Sequence, residues 1–324
     1  MSQGSILQVS RTPSLDLRFS SLTASSHAVF HTTIMPPVAI VTGASSGIGL
    51  ALTQHLLSKS FCVALLDINP PPSSFSLTSS TRYIRTDASS WDSLASAFAE
   101  VHAWHSRLDF VALNAGIDDR DDIFSSISSD APPKKPNMLT FEVNLFGPYY
   151  GLKLAAHYMS GNEPRVGGKV VITASAAALY AIPLIPQYTA TKAGLVGLTR
   201  ALAPVAEKVG ITVNAICPAV VATGLAPPGL LDVFEEKHMT PMSTIMKAFN
   251  ELGDLDGVEQ EGWTKGGKNG CVVEASIGNL YYRDEVEKPD EGQEFMTGGA
   301  ADTWTKVYME RNKNFALMDW EKKE

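Results

Sequence analysis

The sequence predicts an α/β protein, a single doubly wound parallel sheet of about seven strands flanked by helices. Three observations carry that prediction. Val38–Thr42 is a short β-rich apolar run followed at once by a glycine-rich loop, GASSGIG, and then by the helical pattern LALTQHLLSKS. Short apolar runs alternate with helical patterns from there to Leu113, the order that builds parallel strands joined by helical crossovers. The run KVVIT just before Ser175 is apolar without alternation, as in strands buried on both faces.

Composition allows one large core and narrows the partners. The chain has 324 residues, 44% hydrophobic and 19% charged, ordinary values for a globular protein. A net charge of -8 argues against nucleic acid or an anionic membrane as partner. Cys62, Cys217 and Cys271 show no CxxC spacing, so buried thiols in a reducing compartment are expected, with no disulfide framework and no metal site. The most apolar stretch, 174–186, is short and broken by Pro183 and Pro186, so no membrane span is expected.

Residues 1–34 are rich in Ser and Thr, carry Arg11 and Arg18 against Asp16, and lack the apolar segment of a secretory signal. Met35 directly precedes PPVAIVTGASSGIG and would make a natural start. The first 34 residues are therefore expected to be a flexible extension. The expected location is cytoplasmic, or mitochondrial if that extension is a transit peptide.

Taken in order, the elements place a chain of candidate residues. The loop after the first strand holds Gly43, Ser45, Ser46, Gly47, Ile48 and Gly49, with spacing Gly-x-x-x-Gly-x-Gly. Between a strand and a helix, such glycines permit a tight turn and close backbone approach to a pyrophosphate, which then meets the first N–H groups of the helix. A glycine-rich turn without a ligand has the same composition. The next strand, FCVALL, ends in Asp67. A carboxylate there accepts hydrogen bonds from ribose hydroxyls and repels a 2′-phosphate. No arginine stands just before the second glycine or directly after Asp67, so NAD is expected over NADP. The same side chain would equally cap the NPPPSS turn.

TRYIRTDAS gives a third strand leading to Asp87 and Ala88, then a helix over Trp91–His105 and a fourth strand over Asp109–Leu113, ending in Asn114, Ala115 and Gly116. TFEVNLFGPYYGLKLAAHYM reads as a helix containing Asn144, and Gly147–Pro148 marks a local irregularity in it. ITVNAICPAVVATGL supplies a sixth strand and a turn at Pro218.

The stretch from Ser175 to Lys192 carries the chemistry. Tyr188 and Lys192 are four residues apart, so on a helix they share one face a turn apart. A free phenol ionises near about 10 and is a poor base at neutral pH; an adjacent ammonium favours the phenolate. A hydroxyl such as Ser175 can hold the oxygen of a carbonyl or alcohol while the phenol gives or takes the proton. Tyr-x-x-x-Lys alone reads equally well as helix-surface decoration, and its force comes from the motifs upstream.

TGASSGIG, LNAG, Val143–Asn144, Ser175 and Tyr188-x-x-x-Lys192, in this order, resemble the short-chain dehydrogenase/reductase family over about Val38–Thr223. The resemblance implies a single Rossmann-like domain, a nicotinamide dinucleotide, and an Asn–Ser–Tyr–Lys tetrad. Tyr188 would be the general acid/base and Ser175 would steady the substrate oxygen. Lys192 would bind the nicotinamide ribose and lower the Tyr188 pKa, and Asn144 would hold a water linking Lys192 to solvent. The family's cofactor contacts carry onto the glycine loop, Asp67, Asp87, Ala88, Asn114, Ala115, Gly116, Tyr188, Lys192, Pro218, Val221 and Thr223. Ala219 stands where the family has glycine, and Leu113 where it more often has asparagine. The family also implies a homodimer or homotetramer built through the helices beginning near Gly147 and Tyr188.

Residues 35–300 are expected to form that domain, with a substrate flap at about 224–268 and a helical tail over 301–324. Phe234, Met239, Met242, Ile245, Met246 and Phe249 suit either a pocket lining or a cover for the core. With the uncharged YAIPLIP segment, they point to a bulky, mainly hydrophobic alcohol or ketone substrate. NGCVVEASIGNLYYRDEVE reads as the seventh strand and, with AICP, resembles the branch holding hydroxyprostaglandin dehydrogenase and fungal secondary-metabolite dehydrogenases. Trp304, Tyr308, Phe315 and Trp320 allow one apolar face on the tail. The expected activity is hydride transfer between NAD and a secondary alcohol. The alternatives are a non-redox cyclisation or isomerisation on the same fold, and an NAD-bound interaction protein.

Overall fold

Strand β1 (Val38–Thr42), helix α1 (Gly47–Ser58), strands β2 (Cys62–Asp67) and β3 (Thr81–Arg85), helix α2 (Trp91–His105) and strand β4 (Phe110–Leu113) follow one another in the predicted alternation. The computed structural model describes residues 35–125, 127, 131–162, 166–183, 185–256 and 267–311. The expectations for residues 1–34, for 257–266 of the flap, for Leu184, and for Phe315 and Trp320 fall outside these. Every residue of β1 and β4 is buried, as unalternating apolar runs require of a sheet covered on both faces.

The second half begins with the short α3 (Leu139–Phe141), a π-turn over Glu142–Phe146 and α4 (Gly147–Met159). Pro148 stands in the first turn of α4, where its missing N–H costs nothing. The irregularity read from Gly147–Pro148 is the π-turn just ahead of them, in which Gly147 N–H reaches back to the Glu142 carbonyl. Then come β5 (Gly168–Thr173), α5 (Pro186–Ala206), β6 (Ile211–Pro218), α6 (Met242–Gly253), β7 (Val272–Ser276), β8 (Asn279–Tyr282), α7 (Glu291–Glu294) and α8 (Ala301–Arg311).

The sheet order is β3-β2-β1-β4-β5-β6-β7-β8. The first seven strands are parallel, and β8 runs antiparallel to β7. Strand order reverses between β1 and β4, and the crevice outside their carboxyl ends is where such sheets bind ligands.

One expectation is corrected here and one open choice is decided. The run read as a single seventh strand is a hairpin, giving eight strands among the described residues where about seven were expected. It turns at Ile277, which takes φ 52, a left-handed conformation unusual for a β-branched residue. Two threonines hold it there: Ile277 N–H donates to Thr240 Oγ1 at 3.0 Å, and Thr244 Oγ1 donates to the Ile277 carbonyl at 2.8 Å. Of the two readings left open for the apolar residues of 224–268, Ile245 and Phe249 take the core one. They are fully buried on α6 and join Leu52 and Leu56 of α1 in the core beneath one sheet face. Met242 and Met246 pack half-buried against that cluster. The other face is covered by α2, α4 and α5 through Phe98, Leu154 and Leu195.

Beyond the sheet, α8 carries Trp304 and Tyr308 on one face, their rings stacked 5.9 Å apart and both about half exposed.

Candidate active site

The glycine loop closes on itself and on β4. Gly43 takes φ +66, and a Cβ there would lie 2.8 Å from Ala115 Cα; a Cβ on Gly49 would lie 2.0 Å from the Gly43 carbonyl oxygen. Only glycine fits either place. Helix α1 then starts from Ser46, whose side chain makes no cap hydrogen bond, and there is no acidic residue in its first turn. By contrast Ser90, the N-cap of α2, accepts from Ser93 N–H. An uncapped helix start without an acid, approached by bare backbone, suits the pyrophosphate of a dinucleotide. The residues present therefore fit that cofactor.

Asp67 ties the loop to the end of β2. Its Oδ2 accepts from Ser45 N–H at 3.0 Å and its Oδ1 from Asn69 N–H at 3.0 Å. The turn-capping role read from the sequence is thus present, and each oxygen keeps a lone pair for another donor. Asp87 is exposed and bonded to its own neighbour, accepting from Ser89 N–H at 2.9 Å and Ser89 Oγ at 2.6 Å. The Ala88 backbone lies against α4, where a Cβ on Gly147 would come within 2.5 Å of the Ala88 carbonyl oxygen.

Thr42, the first residue of the TGASSGIG motif but given no role from the sequence, knots the two central strands. Its Oγ1 accepts from Asn114 N–H at 2.9 Å and Ala115 N–H at 3.1 Å. Asn114 in turn accepts from Thr173 Oγ1 at 3.0 Å and donates to the Thr42 carbonyl at 3.2 Å. Leu113 packs its side chain on Gly151 of α4, where a Cβ would come within 2.4 Å, so that glycine accommodates the departure from asparagine. On the far rim, Pro218 ends β6. Ala219 is held by its N–H to the Ala275 carbonyl at 2.9 Å and is not among the residues with positive φ, so the turn does not require the glycine usual there. Val221 and Thr223 follow half-buried, and Thr223 closes on the glycine loop: a Cβ on Gly47 would lie 3.2 Å from its Cγ2.

Ser175, Tyr188 and Lys192 converge at the carboxyl end of β5. Ser175 is extended, at φ -172, and its Oγ accepts from Ala177 N–H at 3.1 Å. Tyr188 and Lys192 lie one turn apart near the start of α5. The Lys192 ammonium stands 5.4 Å from the Tyr188 ring centre and donates to the Thr173 carbonyl at 2.8 Å. Burial lowers the Lys192 pKa to about 8. The Tyr188 phenol moves the other way. Burial pushes it above its ordinary value; a hydrogen bond with the Ser175 hydroxyl works against that, while Asp118 and Cys217 add to the rise. The direction is thus opposite to the lowering expected from Lys192. Burial is the largest cause of the Tyr188 shift, and desolvation disfavours the charged phenolate.

Asn144 is fully buried within the π-turn. Its Nδ2 donates to the Ile117 carbonyl and its Oδ1 accepts from Ile117 N–H, both at 2.8 Å. A Cβ on Gly116 would sit 3.4 Å from both Asn144 Oδ1 and Lys192 Nζ, so these two groups flank the same glycine. Asp119, also missed in the sequence, accepts backbone N–H groups of Gln187 and Tyr188. The one signal for it is Ile185 at the N-cap of α5, a side chain that cannot accept a hydrogen bond.

Among the described residues there is no cluster of His, Cys, Asp and Glu able to hold a metal ion, and no helix is long and apolar enough to cross a membrane.

The chain is similar to known proteins. A family model described as short chain dehydrogenase matches residues 37–229. The short-chain dehydrogenase/reductase prx6 of Penicillium rubens is 29% identical over 291 residues, covering 84% of this chain and 93% of that protein. The NADP-dependent dehydrogenase clz5 of Cochliobolus lunatus is 33% identical over 190 residues, covering 54% of this chain and 66% of that protein. The crystal structure of 3-ketoacyl-(acyl-carrier-protein) reductase from Brucella melitensis complexed with NADH superposes with a TM-score of 0.61 at 19% identity, covering 76% of this chain and 98% of that one.

Proposed function

This chain belongs to the short-chain dehydrogenase/reductase family, and from that premise we propose that it interconverts a secondary alcohol and a ketone on a bulky, mainly hydrophobic substrate, with NAD as the preferred cofactor. The observation that carries the reading is the convergence of Ser175, Tyr188 and Lys192 beside a glycine loop whose helix starts uncapped. A nicotinamide dinucleotide, when bound along that loop, supplies the hydride acceptor or donor. The protein supplies binding, orientation and proton handling.

Gly43, Ser45, Ser46, Gly47, Ile48 and Gly49 hold the pyrophosphate, and Asp67 receives the ribose hydroxyls. As the phenolate, Tyr188 takes the alcohol proton in oxidation, and as the phenol it returns that proton in reduction. Ser175 donates to the substrate oxygen, which fixes that oxygen at the phenol. Lys192, with a pKa near neutrality at about 8, passes protons between the Tyr188 side and water near Gly116, where Asn144 keeps the segment after β4 in place. Asp87, Ala88, Asn114, Ala115, Pro218, Val221 and Thr223 complete the walls of the cofactor cleft. Of the expected flap, the described residues 224–241 ahead of α6 would cover the substrate.

A second cofactor reading has one observation in its favour: the relative clz5 bears the name of an NADP-dependent dehydrogenase. Fluorescence titration with NADH and NADPH separates the two. Tighter NADH binding supports the Asp67 reading, and tighter NADPH binding reverses the cofactor and favours a ketone reductase. NADH formation from bulky secondary alcohols supports the redox reaction. Tight binding without turnover across that series would favour a non-redox use of the site or an interaction protein. We also propose a homodimer or homotetramer through α4 and α5, supported by the half-exposed Phe146 and Tyr149 at the start of α4.

A further inference from the structure

Helix α5 carries both Tyr188 and Lys192, so the way its first turn is anchored sets where the phenol stands. An α-helix begins with N–H groups that have no partner inside the helix, and here they can be counted. Pro186, in the first turn, has no N–H. Thr189 N–H already reaches the Ile185 carbonyl at 3.0 Å. Ile185, at the N-cap, offers no side-chain acceptor. Apart from the N–H of Ile185 itself, that leaves the N–H groups of Gln187 and Tyr188.

One carboxylate takes both. Asp119 Oδ2 accepts from Gln187 N–H at 3.0 Å, and Asp119 Oδ1 accepts from Tyr188 N–H in a short contact. The cap is supplied across 69 residues of sequence rather than from the turn before the helix. The segment that delivers it is itself pinned, because two residues earlier Ile117 is held on both its N–H and its carbonyl by Asn144. Gln187 Nε2 adds a bond to the Asn137 carbonyl at 2.9 Å. A continuous hydrogen-bonded path thus runs from Asn144 through residues 117–119 to the backbone of Tyr188.

We propose that Asp119 is a positioning residue for the reaction, a cap supplied from the segment after β4 that fixes the Tyr188 phenol against Ser175 and Lys192. The inference rests on the reading of Tyr188 as the proton-transfer group. It makes the segment after β4 a part of the proton-handling apparatus as well as a wall of the cofactor cleft.

The experiment follows Tyr188 itself. Alkaline difference absorbance, taken between the protein and its Tyr188→Phe variant, isolates the ionisation of this phenol without any substrate. The groups facing it are Asp118 from the segment after β4, Cys217 from β6, the Ser175 hydroxyl, and Lys192 one turn on. With Asp119→Ala the first turn of α5 loses its anchor and water reaches the phenol. The transition is then expected to fall toward the ordinary value of about 10. Asp119→Asn keeps one acceptor and a similar shape, and is expected to shift it less. With a substrate that turns over, kcat should fall about tenfold in Asp119→Ala and less in Asp119→Asn, while the NADH dissociation constant stays unchanged.

A lowered melting temperature with the Tyr188 transition and kcat both unchanged would overturn the proposal and leave Asp119 a plain helix cap. Equal effects of Asn and Ala on the Tyr188 transition would also overturn it, since a graded response is what capping requires. If Asp119→Ala fails to fold, the Asn variant alone decides by the same two readings. Failure of the functional reading shows elsewhere, as turnover that persists in Tyr188→Phe.

Discussion

Lys192 donates from Nζ to the Thr173 carbonyl at 2.8 Å, tying the residue one turn beyond Tyr188 to the end of the strand that delivers Ser175. The ammonium is buried, and that burial lowers its pKa from 10.5 to about 8. In the unfolded chain the group keeps its ordinary value. Between those two values the unfolded state binds more protons than the folded state, so stability from this group rises with pH across that window and its destabilising effect is full below about 8. Melting temperatures of the protein and of Lys192→Met, measured from pH 7 to pH 10, should therefore converge or cross in favour of the lysine as pH rises. Parallel curves would show that Lys192 is not desolvated. Lys192→Met should also lose turnover.

Tyr188→Phe removes the phenol oxygen and little volume. NADH binding should stay near normal while turnover with any accepted alcohol is lost, by about 100-fold or more for a missing acid/base group. Undiminished turnover would remove Tyr188 from the chemistry.

Asp67 accepts from Ser45 and Asn69 N–H groups at 3.0 Å each. Asp67→Ala should weaken NADH binding more than NADPH binding, shifting the ratio by about tenfold toward the phosphorylated cofactor, in line with the cost of losing a hydrogen bond to a charged acceptor. A ratio that does not move, read by the same fluorescence titration, would leave Asp67 as a turn cap alone.

Phe249→Ala tests core against pocket. The side chain is fully buried with Leu52 and Ile245, so truncation should cost about 3–5 kcal/mol of stability, read by denaturant unfolding. KM for a bulky substrate should be unchanged in the folded fraction. A raised KM with full stability would return this residue to the substrate site.

Gly197 on α5 is exposed, and a Cβ there would meet nothing within 4 Å. Gly197→Ala should stabilise a solvent-facing helix by about 1 kcal/mol. If α5 packs on a second subunit, the added methyl should at the same time weaken assembly in analytical ultracentrifugation. Stabilisation with unchanged assembly would exclude Gly197 from the interface.

What the sequence made legible was set by period and by neighbours in the chain. The buried strands carried unalternating apolar runs, and Tyr188 and Lys192 declared a shared face through helical spacing. The hairpin was hidden because isoleucine, at Ile277, takes the left-handed position where Asn, Asp or Gly usually marks a turn; two threonines from residues 240–244 hold it there. Ile245 and Phe249 had the spacing of a buried helix face, yet their chemistry suits a pocket equally, and only the position of α1 decides. Asp119 was invisible for a different reason: its partners lie 68 and 69 residues away, and the only local hint was an isoleucine where a cap belongs. The direction of the Tyr188 pKa could not be read from a charge four residues away, since it depends on how much water the fold removes.

The π-turn over Glu142–Phe146 places a constraint on length. Such a turn holds one more residue than an α-turn. Losing any one residue between Thr140 and Pro148 would restore regular helix and rotate what precedes it by about 100° relative to α4. Asn144 would then swing off Ile117, and Gly147 or its replacement would meet Ala88 from a different side. Substitutions along this stretch can be judged one at a time, but a deletion would uncouple the cofactor cleft from the helix behind it in a single step.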